Sequence, residues 1–160
     1  MRRLIAVLTV GMIAGAVLVG CGNSGDAPAA ASSGAAAEPA PLDMGQPDGV
    51  VQAFLNAWME GDYTGMYSLL SPNSQVEYTE EAFTRTYTSA AATMTLNSVE
   101  AALTNILEQG TSAQARFHVV YDTRGLGKVE RDLDMLLVFD DGRWGIAWTP
   151  GLIFEQMAGG

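Results

Sequence analysis

Few residues in this chain could carry chemistry. Among 160 residues there is one Cys, Cys21, and one His, His118. No disulfide can form within the chain and no Cys/His zinc set can be assembled. The strongest acid candidate is Asp134, in the run Leu133-Asp134-Met135-Leu136. In an apolar cleft it could serve as a general base, with Tyr63, Tyr67, Tyr87 or Tyr121 as hydrogen-bond donors to a developing oxyanion. The alternation of its strand favours a different reading, in which Asp134 stands on the solvent face beside Asp132. His118 shares a face with Arg116 and Asp122. A lone His without an oriented nucleophile is a weak base candidate, and an exposed sheet face accounts for it.

Trp58, Trp144 and Trp148 could form a ligand cage. At helical and strand spacing they more readily close a core, because large aromatics contribute much of a small domain's buried area. Asp132, Asp134, Asp140 and Asp141 lack the spacing and sixth-position Gly of a calcium loop, so a solvated face and turn fits them. No motif calls for a cofactor. The net charge of −10 disfavours phosphate backbones, so nucleic acid is not an expected partner.

The elements that must position these residues occupy the last two thirds of the chain. Val51, Phe54, Leu55 and Trp58 fall at i, i+3, i+4 and i+7 on one helical face. This helix is expected to open with Asp48 as its cap and to end at Gly61. Asp62 caps a second helix carrying Tyr63, Met66, Tyr67 and Leu70, which Ser71-Pro72 should stop. Thr79, followed by Glu80 and Glu81, starts a third helix with Phe83 and Tyr87. Four strands follow. Leu96–Leu107 alternates loosely and turns at Gln109-Gly110. Ala115, Phe117, Val119 and Tyr121 then share one face. Leu133, Met135, Leu137 and Phe139 alternate on the next strand. Asp140-Asp141-Gly142 is hairpin-turn chemistry, and Trp144, Ile146 and Trp148 return from it. The tail is expected to leave the sheet at Pro150, which cannot donate to a ladder. Three helices on a curved four-stranded antiparallel sheet make an α+β fold.

The N-terminus reads differently. Met1-Arg2-Arg3 precedes an apolar run from Leu4 to Val17, and Leu18-Val19-Gly20-Cys21 follows. The run is short for a membrane span and has the parts of an export signal. Gly20 before Cys21 resembles the bacterial lipobox, which implies cleavage before Cys21 and lipidation of its thiol. Two acyl chains suffice for stable anchoring. Residues 1–20 are therefore expected to be a lipoprotein signal peptide, placing the mature protein outside the cytoplasm on a bacterial membrane. Residues 21–47 are rich in Ala, Gly, Ser and Pro without apolar periodicity, and are expected to act as a tether.

Two segments of the expected domain, residues 48–157, carry a more specific resemblance. The order of elements is similar to the cone-shaped fold of nuclear transport factor 2. The stretch from Phe54 to Ser71, with Trp58, Gly61, Asp62 and Tyr63 within it, resembles the opening helices of the N-terminal domain of MecA-type class B penicillin-binding proteins. The closing stretch, with Trp144, Trp148, Pro150, Leu152, Ile153 and Phe154, resembles that domain's signature W-x-P-S-L-I-F-P-x-L. It departs from the signature at Gly151, Glu155 and Met157. The resemblance implies a non-catalytic domain between a membrane anchor and a transpeptidase, with peptidoglycan-synthesis proteins as partners and a link to the β-lactam response. Ser-x-x-Lys and Lys-Thr-Gly, on which acylation by penicillin depends, are missing from these 160 residues, where Lys128 is the one Lys. The resemblance to the cone fold leaves two alternatives: a pocket for a small apolar ligand, and an isomerase- or dehydratase-type enzyme.

Overall fold

The computed structural model describes residues 42–151. Four helices come first: α1 (Pro47–Glu60), α2 (Tyr63–Ser68), α3 (Pro72–Glu77) and α4 (Glu80–Thr93). Four strands follow: β1 (Leu96–Gln109), β2 (Ser112–Thr123), β3 (Gly127–Asp140) and β4 (Arg143–Ile146). They form one antiparallel meander in the order β1-β2-β3-β4.

Helix α1 begins two residues earlier than the Asp48 cap implies. Gln46 is its N-cap, without a side-chain bond, and Pro47 takes the first turn, where its fixed φ suits a helix and its missing N–H costs nothing. Asp48 lies in that first turn, favourably placed against the helix dipole. Gly61 ends α1 at φ 73°, its N–H reaching the Ala57 and Trp58 carbonyls. The Asp62 side chain accepts from Gly65 N–H, and Thr79 accepts from Ala82 N–H, so both predicted caps are present.

Ser71-Pro72 does not simply stop a helix. It starts α3, a fourth helix, with Ser71 as N-cap accepting from Ser74 N–H and Pro72 in the first turn. The same dipeptide can end one helix and open the next because Pro is excluded from a helix interior yet favoured at its start.

The core is built from one face of each layer. Val51, Phe54, Leu55 and Trp58 of α1, Met66 of α2, and Phe83 and Tyr87 of α4 are buried against Ala115, Phe117, Val119 and Tyr121 of β2. Met135 and Leu137 of β3 and Ile146 of β4 extend it. The loose alternation of β1 has a structural cause. Register shifts lie between Leu96 and Ser98 and between Leu103 and Asn105. The second moves the inward positions from Val99, Ala101 and Leu103 to Ile106, because one extra residue inverts the phase of a strand.

Strand β4 is only four residues long, and the chain leaves the ladder after Ile146 rather than at Pro150. One further bond, from Ala147 N–H to the Leu136 carbonyl at 2.9 Å, holds the exit. The hairpin before it has Asp141 at φ 50° and Gly142 at φ 78°. Two successive positive values are those of a tight two-residue turn whose twist matches the strands.

Candidate functional site

The chemistry-bearing residues divide between the two faces of the sheet. Positions 116, 118, 130, 132 and 134 lie on the face away from the helices, as the alternation of β2 and β3 requires. Arg116 opposes Asp134, and His118 opposes Asp132. The Arg116 guanidinium makes two bonds to the Asp134 carboxylate, at 3.0 and 3.1 Å. This carboxylate raises the Arg116 pKa, first through those hydrogen bonds and then through charge. His118 Nδ1 lies 2.9 Å from Asp132, and its Nε2 lies 3.9 Å from Glu130.

Asp134 is therefore not a desolvated base. Its side chain is 41% exposed and tied to a cation. It borders an open surface groove of about 550 Å³, together with Leu107, Gln114, Leu136, Thr149 and Gly151, on the far side of the sheet from the aromatic interior. His118 likewise stands on an exposed face with two acids and no nucleophile beside it.

The other pocket candidate, Tyr67, is also spent on structure. Its hydroxyl donates to the Gln75 and Tyr78 carbonyls, 3.1 and 2.9 Å away, and Gln75 Nε2 returns a bond to the Tyr67 carbonyl. These bonds satisfy the last carbonyls of α3 and fasten it to α2.

The space between helices and sheet is aromatic. Trp58 meets Tyr87, Phe117 and Tyr121 edge-on, with centroids 5.9–6.4 Å apart. Tyr63 stacks on Tyr87, and Phe83 touches both Tyr87 and Trp148. Trp58, Trp144 and Trp148 are all buried, so the three tryptophans are core members. Trp144 serves the far end, packed on Phe139. Among the described residues, the buried polar side chains of the core are Ser71, Ser74 and Thr123. No carboxylate is among these buried polar side chains.

Three buried polar atoms in this interior have no hydrogen-bond partner among the described residues: the hydroxyls of Tyr87 and Tyr121 and Nε1 of Trp148. Burial pushes the pKa of both tyrosines far up. The Trp148 N–H lies close enough to the Tyr87 oxygen to ease its ionisation, but short of hydrogen-bond geometry. Tyr121 also feels the charge of Arg131, a smaller effect than desolvation. Sequence periodicity placed these side chains inside; nothing in it revealed that their polar ends lack partners.

The tail is fixed by a residue that sequence reading missed. Ser74 of α3 accepts the Trp148 backbone N–H at 2.9 Å and faces the Trp148 carbonyl at 3.4 Å. The Ser71 hydroxyl donates to the Ser74 hydroxyl oxygen at 3.1 Å. Ser71 is thus a buried helix cap, while Asn73 two residues on is exposed. Alongside it, Ser71 N–H reaches the Ile146 carbonyl and Ile146 N–H the Leu69 carbonyl, at 2.8 and 3.0 Å. Of the closing signature, Trp148 is buried and Pro150 half-buried. Leu152, Ile153 and Phe154 lie outside the described residues, as do Gly20 and Cys21. No described helix is long and apolar enough to cross a membrane, and no metal-holding group of His, Cys, Asp and Glu occurs among the described residues.

Residues 46–160 match the model of the NTF2-like N-terminal transpeptidase domain family. No curated protein matches the chain. Solved structures share the fold. AclR, a proposed hydroxylase from Streptomyces galilaeus, is 14% identical with a TM-score of 0.50, covering 72% of this chain and 87% of its own. The SEC-C motif protein RPA3114 from Rhodopseudomonas palustris is 10% identical at 0.51, covering 66% and 77%. The protein Rd1NTF2_04 with a long sheet is 18% identical at 0.50, covering 63% and 94%. At such identities these likenesses carry the fold alone.

Proposed function

We propose, for a chain that belongs to the family of NTF2-like N-terminal transpeptidase domains, a non-catalytic role as an accessory or spacer module in cell-wall synthesis. The observation that carries this reading is the division of the site. On the open sheet face Asp134 is paired with Arg116, and Asp132 lies within hydrogen-bond distance of His118, while the interior is lined with buried aromatic rings. A domain arranged in this way can hold a position or a partner, and among the described residues no carboxylate is buried in its apolar space. The motif around Gly20 and Cys21 supports anchoring through a lipid on the outer side of a bacterial membrane, with residues 21–47 holding the domain clear of the headgroups. The partners would be peptidoglycan-synthesis proteins, and the wider role a part in the response to β-lactams.

The test is a Cys21→Ser variant expressed in a bacterium with its signal intact. The account expects the wild-type protein in the membrane fraction, co-purifying with a penicillin-labelled transpeptidase after mild crosslinking. Loss of the lipid site should release the variant from membranes and remove that partner. Wild-type protein that leaves the membrane in salt washes and captures no penicillin-labelled species would oppose the reading.

A further inference from the structure

The aromatic interior contains three buried polar atoms, each able to donate, that make no hydrogen bond to a described residue. Tyr87 comes from α4, Tyr121 from β2 and Trp148 from the segment after β4. They are 3%, 2% and 2% exposed, and their polar atoms have no partner among the described residues. Rings bring them together: Trp58 touches both Tyr87 and Tyr121, and Phe83 touches both Tyr87 and Trp148. An orphaned buried donor is costly, and native interiors seldom keep several in one place.

We propose that the Tyr87 hydroxyl, the Tyr121 hydroxyl and the Trp148 indole N–H form a binding site for one small neutral hydrogen-bond acceptor. The indole N–H can only donate, so the occupant must accept. An anion is disfavoured, because burial opposes negative charge here, as it does on the two phenols themselves. Water is the smallest molecule that satisfies the set, since interior waters typically serve such polar groups; a small carbonyl compound offers the same acceptor oxygen. The site joins helix, sheet and closing segment. Its occupant would couple the interior to the point where Trp148 leads the chain away from the sheet.

The experiment compares urea denaturation of the full chain in detergent for wild type, Tyr87→Phe, Tyr121→Phe and the double variant. If the hydroxyls hold an acceptor, each single change lowers the folding equilibrium constant roughly 5- to 150-fold. The double variant then loses less than the product of the two, because the partners share one occupant. If either single variant is as stable as wild type or more stable, the hydroxyl was an orphan and the proposal fails. Crystallographic density between the three polar atoms identifies the occupant, and its absence would also overturn the site. Native mass spectrometry separates the two sources: a retained added mass means a carbonyl compound, and density without added mass means water.

Discussion

The side chain of Ser74 holds both backbone polar groups of Trp148, with N–H to Oγ at 2.9 Å and Oγ to carbonyl at 3.4 Å, across 74 residues of sequence. The serine is buried, at 6% exposure. It replaces the strand partner that Trp148 would have had if β4 had continued. Ser74→Ala leaves two buried backbone groups unsatisfied, so it should cost about 1–3 kcal/mol. Urea denaturation would show the change as a lower midpoint. An unaltered midpoint would mean that water satisfies the Trp148 backbone and that the link is dispensable.

Trp148 itself packs on Tyr78 and Phe83 at centroid distances of 4.9 Å. Trp148→Ala should destabilise the domain by roughly 3–5 kcal/mol, the usual cost of removing a large buried aromatic. A variant that unfolds at the same denaturant concentration as wild type would show that the tail does not close the core.

Gly145 lies where no side chain fits. A Cβ there would approach Ser71 Cα at 2.6 Å and Ser71 N at 2.8 Å, on the line of the bridge between Leu70 and Ile146. Both obstacles are backbone, so relief requires β4 and the α2–α3 junction to separate. Gly145→Ala should cost about 1–3 kcal/mol, in the range of overpacking changes. Gly110→Ala is a useful contrast, since its site is open and only its φ of 64° opposes a side chain; about 1 kcal/mol is expected. Equal costs at the two sites, measured by thermal unfolding, would contradict the contact.

Alkaline pH should unfold the domain through its buried phenols. Desolvation raises the Tyr87 and Tyr121 pKa values well above the ordinary 10.0. The unfolded chain therefore releases these protons first. Their contribution to stability is complete below about pH 10 and is lost as pH rises past that point. Phenolate absorbance and circular dichroism followed together should show these two tyrosines ionising only as the fold is lost. Ionisation of all five tyrosines with the fold intact would refute the burial argument.

The outer charge pair should matter little. Arg116 and Asp134 are 60% and 41% exposed, where solvent screening limits such pairs to roughly 0–1 kcal/mol. Asp134→Asn should leave stability nearly unchanged and membrane association intact. A loss of several kcal/mol would mean that the charged sheet face is covered in the native protein.

Much of this architecture was legible because local rules and global fold agreed. The 3.6-residue spacing of α1, the caps at Asp62 and Thr79, the alternation of β2 and the Asp141-Gly142 turn each had one local solution. What escaped was decided by partners distant in sequence. Ser71-Pro72 satisfies the rules for ending a helix and for starting one, and only the burial of Ser74 beneath Trp148 distinguishes them. Trp148 continued an alternating pattern, but its backbone found Ser74 before it found β3. The second register shift in β1 has no Gly or Pro to announce it. At the candidate site, alternation correctly set Asp134 and His118 outside. The unpartnered ends of Tyr87, Tyr121 and Trp148 follow from where three separate elements meet, which no local pattern encodes.

The central claim is that this is an accessory domain carried on a lipid anchor, and the most direct test is the intact mass of the native protein extracted from membranes, read beside fluorescent penicillin labelling. The account predicts a species that begins at Cys21 with an added diacylated modification. Penicillin label would appear only on a larger species containing these residues, or on a separate partner. A native product that retains Met1 through Gly20, carries no lipid and distributes with soluble proteins would contradict it.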